Sequence, residues 1–222
     1  SVVSVVATPA SLVLGANTVT WTVTDIGGLT ATSTQTVTVL DTQFPNVITQ
    51  NTTIALNASG QATVTPAMID NGTTDNCGFT LIVSPNIFFC GNIGVNNVIL
   101  IATDAAGNQS FRPATVTVVD NTPPVPTLVT LADVTAECSV ASLVAPTATD
   151  NCGGVVTVTN DASLPISGEG TTTVVTWTYD DGNGNTSTQT QNVVIDDVTA
   201  PVADLVTLAD VTAECSVASL VA

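Results

Sequence analysis

Apolar and polar residues alternate with a period of two along much of the chain. Val19, Trp21 and Val23 share one face of such a stretch, and threonines occupy the other face. The same alternation returns around Leu100 and Trp177, and each stretch is followed by a glycine-containing turn and a second alternating stretch. This pattern predicts half-buried strands joined as hairpins. We therefore expect an all-β protein, with Trp21 and Trp177 in its core.

The chain also repeats itself. Residues 128–145 and 205–222 have the same letters at an offset of 77, and Trp177 lies at that offset from Leu100. A self-match at a fixed period indicates a repeat protein. We predict tandem immunoglobulin-like β-sandwich modules in a linear array. The predicted segments are the carboxyl-terminal half of one repeat (1–41), two complete repeats (42–121 and 122–199) and the start of the next (200–222).

Charge and composition exclude several classes of function. The chain has 18 acidic residues, one basic residue (Arg112) and no histidine, which gives a net charge of −17. A histidine-activated nucleophile is therefore absent, and nucleic acid and anionic membranes would repel the chain. No apolar stretch is long enough to insert into a membrane. The amino terminus does not resemble a signal peptide, so we expect an internal piece of a longer, non-enzymatic protein.

Each complete repeat contains an Asp-Asn-Cys loop, at 75–77 and 150–152, and closes with an alternating strand, a Gly-Asn turn, a valine-rich strand and an Asp-x-x-x-Pro joint. This arrangement resembles the hyalin-repeat (HYR-like) immunoglobulin-like modules, over the whole chain. Such modules form tandem arrays in giant secreted surface proteins, many of them from Bacteroidota. The resemblance implies a secreted, cell-surface-attached and non-catalytic protein of adhesin or filament type, exported in that lineage by the type IX route.

The cysteines are odd in number: Cys77, Cys90, Cys138, Cys152 and Cys215. An odd number in a secreted chain needs an explanation. Cys215 is the offset copy of Cys138, and the copy of Cys152 would lie beyond residue 222. We therefore predict one disulfide bond in each complete repeat, Cys77–Cys90 and Cys138–Cys152, with Cys215 unpaired. Each bond closes a short loop and would contribute about 3 kcal/mol.

Aspartates recur at the end of each repeat and in two loops of the next. We expect these loops and the end of the preceding repeat to meet. The predicted groups are Asp41, Asp75 and Asp104 at the first joint and Asp120, Asp150 and Asp181 at the second. At the third joint, the loop that would complete the group of Asp197, with Asp196 and Asp204, is expected to lie beyond residue 222. Converging carboxylates without a basic partner favour a bound calcium ion. The alternative is that these aspartates only form turns.

The favoured function is that of a structural stalk or filament segment, whose partners are neighbouring repeats and other copies of the protein. A glycan- or protein-binding module that acts through inter-strand loops, such as residues 161–170, is the alternative. An accessory domain of a hydrolase encoded elsewhere in the same chain also stays open. Head-to-tail strand donation between chains is disfavoured, because segments 1–41 and 200–222 together are shorter than one repeat.

Overall fold

The computed structural model describes residues 1–204, 207, 210–212 and 215. Their regular structure consists of strands, apart from a four-residue helix and one 3-10 turn. The predicted all-β fold is confirmed. None of the helices in this described part is long or apolar enough to cross a membrane. The predicted start of a further repeat at 200–222 lies mostly outside the described residues.

The first three strands form one antiparallel sheet in the order β1–β2–β3. They are β1 (Val2–Thr8), β2 (Gly15–Asp25) and β3 (Thr30–Val39). Val19 is buried as predicted, but the expectation for Trp21 is wrong, because 39% of its side chain is exposed. The described residues of this segment provide no second sheet over Trp21. Its indole Nε1 instead donates a hydrogen bond to Gln35 Oε1 at 3.0 Å.

Segment 42–121 folds into two facing sheets. Its elements are β4 (Thr52–Ala55), β5 (Gln61–Thr63), α1 (Pro66–Ile69), β6 (Phe79–Ser84), β7 (Ile87–Phe89), a 3-10 turn (Cys90–Asn92), β8 (Gly94–Asp104) and β9 (Gln109–Val119). One sheet has the order β4–β9–β8–β6, and the other pairs β5 with β7. The short strand β4 runs parallel to β9, whereas β8 is antiparallel to both of its neighbours.

The core of this segment lies between its two sheets. Val98, Leu100 and Ala102 of β8 are buried, as the alternation predicted, and they belong to the same apolar cluster as Ala62 of β5 and Phe88 of β7. Burial of large aliphatic and aromatic side chains stabilises a fold by about 1.5–3 kcal/mol each. The alternating face of β8 therefore joins the two sheets into a small sandwich.

Segment 122–199 repeats this plan. Its strands are β10 (Val125–Pro126), β11 (Val134–Ala136), β12 (Ser139–Val140), β13 (Ala148–Thr149), β14 (Thr157–Asn160), β15 (Ile166–Ser167), β16 (Thr171–Asp180) and β17 (Thr186–Ile195). The main sheet has the order β11–β17–β16–β14, and β12 pairs with β15. Strand β11 is parallel to β17, as β4 is to β9. Trp177 and Tyr179 are fully buried, so the predicted core position of Trp177 is confirmed.

By contacts, the chain divides into two compact units. One contains residues 1–125, 148–157 and 180–187, and the other contains 126–147, 158–179 and 188–222. The first unit therefore includes the loops of segment 122–199 that carry Asp150 and Asp181. The repeat boundaries given above are defined by sequence and stay a prediction.

The predicted disulfide pairing is wrong. The structure joins Cys90 to Cys152, with a Cα–Cα distance of 5.2 Å, and leaves Cys77, Cys138 and Cys215 as exposed free thiols. Each predicted bond would have stayed within one repeat, whereas the observed bond joins segment 42–121 to a loop of segment 122–199.

The reason is the direction of the strands. Cys77 precedes β6, whose first residue Phe79 pairs with Asp104 at the end of β8. Cys90 lies at the other end, just before β8 begins at Gly94. A strand of this length spans about 33 Å, far beyond the roughly 7 Å limit for bonded cysteines. Cys138 follows β11, and its expected partner Cys152 is already bonded to Cys90.

Candidate metal centre

Two groups of acidic residues in the first unit bring carboxylate oxygens together. In the first group, one carboxylate oxygen from each of Asp41, Asp75 and Asp104 lies within 4.8 Å of the others. In the second, oxygens of Asp120 and Asp150 lie at the same mutual spacing with the sulfur of Cys152. This sulfur is bonded to Cys90, so the second group offers its oxygens as ligands.

Several oxygens in these groups are buried without a hydrogen-bond donor. They are Oδ2 of Asp41, Oδ1 of Asp75, Oδ2 of Asp120, Oδ1 of Asp150 and Oδ1 of Asn151. Asp120 is only 5% exposed. A buried acceptor without a partner costs roughly 1–3 kcal/mol, and more for a charged group. These oxygens therefore need a positive charge or a donor that the described side chains do not supply.

Asx turns fix the Asp-Asn-Cys loops at both sites. The backbone N–H of Cys77 donates to Oδ2 of Asp75 at 2.8 Å. In the same way, the N–H of Cys152 donates to Oδ2 of Asp150 at 2.9 Å. One carboxylate oxygen of each aspartate thus holds its own turn, and the other oxygen is the one left without a donor. Turn chemistry and ligand supply are therefore compatible in one residue.

An asparagine at each hairpin turn connects the loop to the end of the preceding segment. The side-chain amide of Asn108 donates to the carbonyl oxygen of Asp41 at 3.3 Å and to Oδ2 of Asp104 at 2.8 Å. The amide of Asn185 makes the corresponding bonds to the carbonyl of Asp120 at 3.0 Å and to Oδ2 of Asp181 at 2.7 Å. The two joints are therefore built from the same contacts.

These bonds also set the charge state of the turn aspartates. Burial acts to raise the pKa of Asp104, but the hydrogen bonds from the side chain and backbone of Asn108 outweigh it and hold the pKa below its usual value. Asp181 has a lowered pKa for the same reason, through Asn185 and Asn183. Hydrogen bonds donated to a carboxylate favour its charged form. Both turn aspartates are therefore ionised at neutral pH.

The free thiol of Cys77 lies beside the first acidic group. Its hydrogen bond with the side chain of Asp41, burial and the charges of Asp41, Asp75 and Asp104 all raise its pKa. A neutral thiol beside three carboxylates is a poor nucleophile and a poor metal ligand. The oxygens, rather than this sulfur, are the ligands that the first group offers.

The predicted groups are therefore matched unevenly. The first group forms as expected from Asp41, Asp75 and Asp104, and the second brings together Asp120 and Asp150. Asp181 is not part of the second group. Its carboxylate accepts two N–H groups of its own turn, but Asp104 accepts the corresponding bonds and still belongs to the first group, so these bonds do not account for the difference. Asp197 is exposed and its backbone N–H donates to Oε1 of Glu169 at 2.8 Å, but no cluster of three candidate ligands includes Asp197 among the residues that the structure describes.

Sequence reasoning missed Asn151, whose side-chain oxygen has no donor and whose amide donates to the carbonyl of Asn57 at 3.1 Å. The sequence places Asn151 in the Asp-Asn-Cys loop. Nothing in the sequence alone indicated that Asn57, in a turn of the preceding segment, would lie beside it.

The donor set fits calcium. Calcium takes six to eight oxygen ligands, from carboxylates, amide and backbone carbonyls and water. Both groups contain buried oxygens of these types that accept no hydrogen bond. The described residues offer no histidine or free thiolate that would favour a softer metal. The carboxylates and Asn151 supply fewer oxygens than calcium needs, so water would complete the shell.

Comparison with known proteins supports a hyalin-like sequence. No family model matches the chain. The chain is 34% identical over 211 residues to hyalin of Strongylocentrotus purpuratus, and this alignment covers 85% of the chain but only 17% of hyalin. This similarity agrees with the resemblance to hyalin-repeat modules. The Bacteroidota lineage and the type IX route stay predictions.

Several solved structures match most of the chain at low sequence identity and low TM-score. Immunoglobulin domains 1–4 of Sidekick-1 match with a TM-score of 0.40 and 10% identity, over 81% of this chain and 58% of that one. Drosophila N-cadherin EC1-4 matches with a TM-score of 0.37 and 11% identity, over 83% and 58%. A three-immunoglobulin fragment of titin matches with a TM-score of 0.39 and 8% identity, over 82% and 75%.

Proposed function

We propose that the chain is a non-catalytic structural segment of a longer extracellular repeat protein of adhesion type, in which successive repeats form a stalk or filament. The observation that carries this proposal is the matched joint: Asn108 binds Asp41 and Asp104 as Asn185 binds Asp120 and Asp181. A contact that recurs at both of these joints is a device for fixing repeats in series. The similarity to part of hyalin supports the same reading.

The second part of the proposal is that calcium binds at these joints. Asp41, Asp75 and Asp104 would hold one ion, and Asp120 and Asp150, with the side-chain oxygen of Asn151, would hold another. Calcium would supply the positive charge that the partnerless oxygens need. Because Asp41 and Asp120 end one segment while the other ligands belong to the next, each ion would stiffen its joint.

The proposed location is the cell surface or the extracellular matrix. The Cys90–Cys152 bond is of the kind that persists in oxidising compartments. The partners of the segment would be the neighbouring repeats and other copies of the protein. A net charge of −17 would keep neighbouring copies apart unless a cation screens them.

Calcium titration tests the metal sites directly. The wild-type chain, stripped with chelator, is titrated with calcium by calorimetry, in parallel with Asp120→Asn and Asp133→Asn. Asp120 is buried with an oxygen that lacks a donor, whereas Asp133 is an exposed acid that accepts a bond from Asn192. We expect two sites in the wild type and in Asp133→Asn, and one site in Asp120→Asn. Equal binding by all three proteins, or no binding at all, would contradict the calcium proposal.

Small-angle scattering tests the structural role separately. Strands such as β8 are about 33 Å long, so each further repeat of a stalk should add roughly that length to the maximum dimension. We expect this dimension to grow linearly with repeat number in longer forms of the protein, and to become better defined when calcium is added. Growth with only the cube root of mass, as for a single globule, would exclude a stalk.

A further inference from the structure

The bond between Cys90 and Cys152 has a fixed place in the repeat plan. Cys90 directly follows β7 and lies at the end of the sheet where β8 begins. Its partner Cys152 lies in the Asp-Asn-Cys loop of segment 122–199. Cys77 and Cys138 are free and exposed. Each of them can be compared with the bonded pair through strand register rather than through sequence spacing.

Strand register identifies the position of Cys138. In the β5–β7 ladder, Gln61 pairs with Phe89, so the next position places Gly60 opposite Cys90. In the β12–β15 ladder, Ser139 pairs with Ser167, so the next position places Cys138 opposite Gly168. Both repeats therefore have one cysteine and one glycine at the same rung. The cysteine is on the second strand in segment 42–121 and on the first strand in segment 122–199.

The two sides of this rung lead to the same point in space. A Cβ added at Gly60 would lie 2.6 Å from the sulfur of Cys90 and 3.0 Å from the carbonyl oxygen of Asn151. The rung therefore has room for one side chain, and that side chain meets the Asp-Asn-Cys loop from either strand. This accounts for the glycine opposite Cys90. A Cβ added at Gly168 would instead lie 3.1 Å from Oγ1 of Thr171.

Cys77 has the local structure of Cys152. Both cysteines follow an Asp-Asn pair, and both donate their backbone N–H to Oδ2 of that aspartate, at 2.8 and 2.9 Å. The side-chain amide of Asn76 also reaches Oδ1 of Asp41, at the end of the preceding segment, at 3.4 Å. The Asx turn of the loop that bonds Cys90 at the second joint is thus repeated at the first joint, whereas the asparagine contacts differ, because Asn151 donates to the carbonyl of Asn57.

We propose that Cys90–Cys152 is one link of a covalent series in which the rung cysteine of each repeat is bonded to the Asp-Asn-Cys cysteine of the repeat that follows. Cys138 is then the attachment point for the Asp-Asn-Cys loop of a following repeat, and Cys77 accepts the rung cysteine of a preceding one. Neighbouring repeats are joined by one disulfide at every joint, and no disulfide closes within a repeat.

The chemistry is ordinary thiol oxidation. The two thiols lose two protons and two electrons and form one S–S bond, and a small-molecule disulfide such as oxidised glutathione takes up the electrons and protons and becomes two thiols. The series does not depend on calcium, so it can be tested in the presence of chelator and stands or falls apart from the metal proposal.

A lengthened chain provides the test. A copy of residues 146–199 is added after residue 222, which completes a further repeat, because 205–222 duplicate 128–145. The added segment brings its own Asp-Asn-Cys cysteine. That cysteine has two competing partners: Cys138 in the preceding repeat, and Cys215 in its own repeat. Because the peptides around Cys138 and Cys215 are identical, the comparison uses two matched variants of the lengthened chain, Cys138→Ser and Cys215→Ser.

Both variants are oxidised with a glutathione couple in chelator, denatured, and alkylated without reduction to count free thiols by mass. The proposal expects one free thiol in Cys215→Ser, on Cys77, with the added cysteine linked to Cys138. It expects three free thiols in Cys138→Ser, on Cys77, Cys215 and the added cysteine. The reverse result would place the bond within a repeat and overturn the proposal. Equal thiol counts in the two variants would overturn it as well, because neither partner would then be preferred.

Discussion

Removal of the Cys90–Cys152 bond gives the sharpest test of the fold at the joint. The two cysteines are 62 residues apart in sequence. In the chain-entropy model, closing a loop of this length lowers the conformational entropy of the unfolded chain by about 14 cal/mol/K, which stabilises the folded chain by about 4 kcal/mol at 25 °C. The double variant Cys90→Ser/Cys152→Ser should therefore lose about 4 kcal/mol of unfolding free energy without leaving a stray thiol.

The control is Cys138→Ser, which removes an exposed free thiol. A substitution of this kind should change the stability by no more than about 0.5 kcal/mol. With a guanidinium m-value of about 4 kcal/mol/M, the double variant should shift the unfolding midpoint by about 1 M, and the control should leave it in place. Reduction of the wild-type protein with dithiothreitol should reproduce the shift of the double variant.

The measurement is guanidinium denaturation followed by tryptophan fluorescence, whose change should come mainly from Trp177, because Trp177 is fully buried and Trp21 is already 39% exposed. If Cys138→Ser lowers the midpoint as much as the double variant does, then Cys138 is bonded in the wild-type chain. In that case the assignment of the bond across the joint is wrong, and the pairing within the repeat is restored.

Three further predictions follow from single side chains. Trp177→Ala should cost about 3–5 kcal/mol of unfolding free energy, whereas Trp21→Ala should cost about 1 kcal/mol or less, since Trp177 is 1% exposed and Trp21 39%; equal losses in urea denaturation would contradict this. The raised pKa of Cys77 predicts that iodoacetamide alkylates this thiol slowly at pH 8. Asp41→Asn should lower that pKa and speed up the alkylation, measured by mass spectrometry. An unchanged rate would refute the contact between Cys77 and Asp41. Asp104 has a lowered pKa, so its charged form stabilises the fold above the unfolded pKa of about 3.9, and this stabilisation is lost as pH falls through the folded pKa. Asp104→Asn should therefore lower the unfolding free energy, measured in urea, more at pH 7 than at pH 3.

Period and repetition were sufficient to predict the strands and the core of the complete repeats. Leu100 and Trp177 are buried where the alternation placed them, because a strand with one buried face has to alternate. Trp21 has the same pattern but is exposed. Alternation states which residues share a face of a sheet, and burial depends on whether a second sheet covers that face.

The acidic groups were predictable as far as turn chemistry determines them. Asp75 and Asp150 form Asx turns of the same kind, and Asp41 and Asp120 lie just after the last residues of β3 and β9, Val39 and Val119. Asp181 was expected to join them, but its carboxylate lies outside the second group, although its turn bonds match those of Asp104. The sequence shows that an aspartate is present in a turn, and only the structure shows which carboxylates come together.

The cysteines and the aspartates differ in how they depend on sequence spacing. An aspartate that holds a turn must stand at one position of that turn, so its copies recur at corresponding places in both repeats. A disulfide needs only a sulfur within reach, and Gly60 and Cys90 show that either strand of the rung can supply it. The spacing of the cysteines therefore changed between repeats while the joint was kept, and reasoning from spacing alone paired them within a repeat.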